Sequence, residues 1–194
     1  TLGGVRPEEI VAFQKARPGE FHMSNDMDII DGGYVAVSGF FTAVAEARAA
    51  GELNIPRDRL LFFNTTRPDE VLVNTTRITG MSGITEEERE AAREIGLKQV
   101  AELAAFMKKR IPGFQDSSVS AIAREVGVRE TRRMLGRYIL NENELINSTR
   151  FEDVIAKGAY PLDIHRQDEG LATLELQSKL YYDIPLRCML SDKV

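Results

Sequence analysis

The strongest pattern along the chain is a single apolar stripe: Ala92, Gly96, Val100, Leu103, Met107 and Ile111 follow one another at spacings of four, four, three, four and four. That is one buried face of a helix, and its ends are marked. Thr85 and Glu88 form a capping-box pair, and four of the first five positions are acids. Lys108, Lys109 and Arg110 stand in the last turn, before Pro112-Gly113. Both charge blocks complement the helix dipole, so the pattern predicts a helix over 86–110. A shorter helix is expected from Pro7 to Ala16, with Pro at its first position and Pro18-Gly19 as its stop. Phe41, Val44, Ala45 and Arg48 give a partial stripe for a helix capped by Ser38, running to Ala50 and ended by Gly51. Asn141 caps a short helix to Ile146.

Alternation predicts the strands. Leu60–Thr66 and Val71–Thr76 are β-branched and aromatic runs around Arg67-Pro68-Asp69-Glu70, the clearest hairpin in the chain. Val119, Ala121, Ala123, Val126 and Val128 suggest a strand bent at Gly127. Arg133–Leu140, Leu174–Tyr182 and Ile184–Leu190 suggest others, while the aspartate-rich stretch 22–33 reads as a loop. Strands and helices do not alternate as βαβ units. The fold class expected is therefore α+β: a mixed, largely antiparallel sheet with one long and several short helices.

Composition narrows the chemistry. The net charge of −5 offers no basic field for a nucleic-acid backbone. No apolar run approaches the ~20 residues of a membrane helix, so no membrane span is expected. The single cysteine, Cys188, excludes an internal disulfide and fits a reducing, cytoplasmic setting. No two of the 15 glycines are separated by one residue, so G-x-G-x-x-G is absent from these 194 residues. Neither Gly-Lys-Ser/Thr nor Gly-x-Ser-x-Gly occurs. Two histidines and one cysteine far apart predict no metal site, and the Asp26–Gly32 stretch lacks the glycine and glutamate of a calcium loop.

What remains is arginine and histidine chemistry. Arg129, Arg132, Arg133 and Arg137 fall within nine residues. On a strand Arg129, Arg133 and Arg137 share one face and Arg132 takes the other. Each either snorkels to solvent and pairs with Glu130, Glu142 or Glu144, or faces a carboxylate or cofactor with its planar fork. In Tyr160–His165 an extended backbone puts Tyr160, Leu162 and Ile164 on one face and Asp163 with His165 on the other. His165 is either a packed group or a proton shuttle at a cleft.

Several short blocks then occur in a telling order: Asn74-Thr75-Thr76-Arg77, Pro112-Gly113-Phe114, Gly127-Val128-Arg129-Glu130-Thr131-Arg132-Arg133, Phe151 to Ala156, Tyr160-Pro161-Leu162-Asp163-Ile164-His165 and Ile184-Pro185-Leu186-Arg187-Cys188. In this order and spacing the chain resembles the bacterial FAD-dependent oxidoreductases, glutathione-reductase-like flavoproteins whose substrate-facing domain is inserted between two halves of a dinucleotide-binding domain. The resemblance covers most of the chain and is densest from Asn74 onward. It implies that residues 1–194 form one substrate or cap domain, truncated at both ends, that covers the flavin. It implies FAD as cofactor of the full-length protein, with a small-molecule substrate, and the remaining FAD-binding segments of the same polypeptide as partners. The piece itself is not expected to hold FAD, because the glycine loop for the pyrophosphate is not in it. Arg129, Arg132 and Arg187 are the substrate- or cofactor-binding residues implied, and His165 the catalytic one. The alternative is a non-catalytic binding or assembly domain whose arginines dock an acidic partner or small anion.

Overall fold

The computed structural model describes residues 1–22, 34–129, 131–160, 162–166, 170–174 and 181–191, with the backbone alone at 162–166 and 170–174. Its elements in chain order are β1 (Leu2–Gly3), α1 (Pro7–Ala16), β2 (Ala36–Gly39), α2 (Phe41–Ala49), β3 (Leu60–Asn64), β4 (Glu70–Val73), α3 (Glu86–Arg110), β5 (Ser118–Val119), α4 (Glu142–Ile146), β6 (Val154–Gly158), β7 (Leu162–Arg166), β8 (Gly170–Leu174) and β9 (Tyr182–Pro185). Short 3₁₀ turns follow α1 (Pro18–Glu20) and β9 (Leu186–Met189). The fold is α+β, and every strand pairing among the described residues is antiparallel. The chain divides into two units, 1–128 and 129–194.

The first unit holds a five-stranded sheet of order β2-β3-β4-β1-β5. The hairpin forms as expected, with Phe62 opposite Val73 and Phe63 opposite Leu72. Its second arm ends at Val73, yet the Asn74–Arg77 block stays attached. The buried Thr75 hydroxyl accepts from Leu61 N at 2.9 Å and donates to Leu61 O at 3.0 Å, as a strand residue's backbone would. Gln99 of α3 does the same for Arg77, accepting from its N–H at 2.9 Å and donating to its C=O at 2.7 Å. Two side chains thus continue the ladder where the strand stops.

α3 spans Glu86–Arg110, and Thr85 accepts from Glu88 N at 3.3 Å. The Glu88 carboxylate reaches back to Ser82 Oγ and to Ile84 N. Of the apolar stripe, Ala92 is buried in the first half of the helix and Leu103, Met107 and Ile111 toward its end, where Phe106 joins them. Pro112-Gly113-Phe114 then turns the chain beneath α1. Gly113 has φ +84° and lies so close to α1 that a Cβ there would stand 2.5 Å from Arg6 O. Its C=O accepts from Arg6 N and its N–H donates to Glu9. Phe114 meets Phe62 edge-on at 5.2 Å in the core.

α2 departs from expectation at its start. Ser38 lies in β2 and caps nothing. The residue before the helix is Phe40, in the left-handed region with φ 62°. Its buried ring stacks on Phe13 at 5.2 Å and Phe62 at 6.2 Å, with Phe21 edge-on at 4.9 Å. Packing of that extent offsets the ~1–2 kcal/mol that a side chain pays in this conformation. The helix start is capped by Glu20, which accepts from Thr42 N at 2.9 Å and from the Thr42 hydroxyl.

The strands expected over 118–128 and 133–140 do not extend that far: the first stops at Val119, and 131–141 contains no strand. The expected strand at 184–190 ends at Pro185 and passes into the 3₁₀ turn. The loop read at 22–33 lies outside the described residues apart from His22, as does most of the strand read at 174–182. In the second unit β6 pairs with β9, with a bulge between Val154 and Ala156, and β7 pairs with β8.

Candidate functional site

The second unit gathers aromatic rings, arginines and carboxylates around β6 and β9. Construction begins at α4, where a full capping box forms. Asn141 Oδ1 accepts from Glu144 N at 3.2 Å, and Glu144 Oε2 accepts from Asn141 N at 3.0 Å. The second oxygen of Glu144 accepts from the Tyr138 hydroxyl. That hydrogen bond pushes the Tyr138 phenol up and holds the Glu144 carboxyl below the usual range, helped by the Asn141 N–H. Tyr138 is thereby fixed, and its ring meets Phe151 edge-on at 5.7 Å.

Arg187 rests against both rings. Its guanidinium carbon is 4.5 Å from the Tyr138 centroid and 5.1 Å from that of Phe151. Asp153 holds it from the third side: Oδ2 accepts from Arg187 N at 3.2 Å, and Oδ1 lies 3.5 Å from Nη1. Asp153 O also accepts from Leu186 N at 2.7 Å, so one residue fixes the 3₁₀ turn and the cation that projects from it. Arg187 Nε is buried with no acceptor, and Asp153 Oδ1 is buried with no donor in hydrogen-bonding geometry. The side chain as a whole is 42% exposed, so its accessible part lies away from Nε.

Gly136 makes this arrangement possible. A Cβ there would stand 2.5 Å from Cys188 O, and Arg137 N donates to Leu190 O at 2.8 Å. The segment before Tyr138 thus runs tightly along the turn that carries Arg187. A second cluster lies beside the same two strands: Arg150 pairs with the buried Asp183 of β9 at 2.8 Å and lies 4.0 Å over the Tyr181 ring.

Of the residues singled out in the sequence, Arg187 is in the first cluster. Arg129 and Arg132 are exposed, with no side-chain partner among the described residues, and take no part in it. His165 stands opposite Leu171 in the β7–β8 pair, and its side chain lies outside the described residues. Sequence reasoning missed Tyr138, Phe151, Asp153 and Glu144. Tyr138 closes the arginine-rich stretch and Phe151-Glu152-Asp153 opens a recognised block, but aromatic rings near arginines in sequence do not announce stacking.

A family model for FAD dependent oxidoreductases matches residues 10–194. The chain belongs to that family. No curated protein and no solved structure matches it. Membership implies FAD in full-length members and a small-molecule substrate. The residues present suit one end of that cofactor only. A stacked arginine among rings fits an aromatic or anionic group, while the pyrophosphate finds no G-x-G-x-x-G in this sequence. Among the described residues no group of three or more His, Cys, Asp or Glu is placed to hold a metal ion. No described helix is long and apolar enough to cross a membrane.

Proposed function

We propose that residues 1–194 are the substrate or cap domain of a larger FAD-dependent oxidoreductase, covering the flavin and orienting a polar or anionic substrate for hydride transfer. The observation that carries this reading, beside the family match, is Arg187: a guanidinium fixed by two rings and a carboxylate yet 42% exposed. Arginine prepared in that way binds a carboxylate, or an electron-rich ring edge, without losing rotamer freedom on binding. The flavin, when bound, supplies the hydride acceptor. Arg187, with Arg129 and Arg132, supplies donors to substrate or cofactor, and His165 moves the accompanying proton. The glycine loop and its helix belong to the remaining FAD-binding segments of the polypeptide, so the chain alone does not retain FAD.

The test uses the full-length enzyme. Arg187→Lys keeps the charge and loses the planar fork, and should weaken substrate or flavin binding by about 1–3 kcal/mol. His165→Gln should slow reductive turnover by about 100-fold or more with little change in melting temperature. Unchanged equilibrium binding in the first variant together with unchanged turnover in the second would overturn the assignment.

A further inference from the structure

The cluster around Tyr181 carries more positive charge than its own carboxylate neutralises. The β6–β9 register sets Lys157 directly opposite Asp183, the position at which a cross-strand ion pair is expected. Asp183 is already engaged. Its side chain is 5% exposed, Oδ1 pairs with Arg150 Nη1 at 2.8 Å, and Oδ2 accepts from Phe151 N at 3.4 Å. Lys157 lies instead over the Tyr181 ring, its Nζ 4.4 Å from the centroid, on the ring that Arg150 approaches to 4.0 Å. The two cations therefore stand within about one Debye length of each other, about 8 Å at physiological salt, and repel. Tyr181 offsets part of that repulsion through its ring quadrupole. Lys157 has no carboxylate partner among the described residues. It is exposed, as is 44% of the Arg150 side chain.

We propose that Arg150 and Lys157, held on Tyr181, form a binding site for an oxyanion group, a phosphate or a carboxylate. An ammonium and a guanidinium fork held on one ring both attract an oxyanion, and each offers it charge-assisted donors. Asp183 does not compete, since its charge is neutralised and its oxygens are taken. The site shares with the Arg187 cluster only Phe151, whose backbone N–H donates to Asp183, and does not depend on the flavoprotein reading.

Backbone amide NMR of the 194-residue chain tests it, with inorganic phosphate in one titration and succinate in another, at constant ionic strength. Saturable shifts should appear at Arg150, Lys157 and Tyr181 to Asp183, and the tighter of the two ligands identifies the chemical class. Lys157→Gln removes an exposed charge and leaves the Arg150–Asp183 pair intact. It should weaken binding about tenfold, the scale of one charge-assisted hydrogen bond, with an unchanged melting temperature. Shifts that never saturate with either ligand, or equal affinity in Lys157→Gln, would overturn the proposal.

Discussion

Glu52 accepts from Arg110 Nε at 2.8 Å and from Lys109 Nζ at 2.9 Å, and those two hydrogen bonds, Arg110's first, hold its carboxyl down at about 2 against an ordinary 4.5. A carboxylate depressed by folding stabilises the fold above its unfolded pKa and loses that contribution as it is protonated in the native state. The gain is therefore complete above pH 4.5 and fades as the pH falls from 4.5 toward 2. Melting temperatures of the chain and of Glu52→Gln should differ at pH 6 and converge near pH 2; a constant offset would remove the ion pairs as its cause. At Gly113 the constraint is steric. With φ +84° and Arg6 O where a Cβ would go, Gly113→Ala should cost at least ~1–2 kcal/mol in chemical denaturation, where an unconstrained exposed turn would lose little.

At the scale of elements, legibility followed how local the stop and start signals were. α1 and α3 were legible to the residue, because Pro7, Thr85 and Pro112-Gly113 act within a turn of the ends they define. α4 was legible for the same reason, through Asn141 and Glu144. The start of α2 was not, since its cap, Glu20, lies 22 residues upstream and Ser38 offers a nearer decoy. The alternation of 133–140 was read as a strand, but this stretch is tied by Arg137 N to Leu190 O and by the close pass of Gly136 along Cys188, contacts that no local pattern encodes. The site shared that limit: Arg187 was legible from its block, whereas the rings and carboxylate that fix it come from two other segments, at Tyr138 and at Phe151 with Asp153. The capping rule itself can be measured. Thr85→Ala should lower stability by about 1 kcal/mol in urea denaturation, and an effect near zero would mean that Ser82, Ile84 and Glu88 hold the helix start unaided.

Across the whole chain, burial is uneven. Every buried apolar residue among those described except Pro185 lies between Leu2 and Phe114, whereas Met134, Leu135 and Ile139 are 53%, 76% and 67% exposed. Local opening follows buried contacts, so hydrogen exchange should be slowest in β3, β4 and the second half of α3, and fastest over 120–129 and 131–141. Equal protection in the two regions would contradict this distribution. The carboxamide of Gln99 has a consequence of another kind. By occupying both main-chain groups of Arg77, it leaves no vacant rung there for a strand from a second molecule. An unguarded rung next to a hairpin is a template for intermolecular pairing. Gln99 is thus a safeguard against self-association, and a chain carrying Gln99→Leu should remain folded yet form concentration-dependent oligomers, visible by light scattering, to which the parent is resistant.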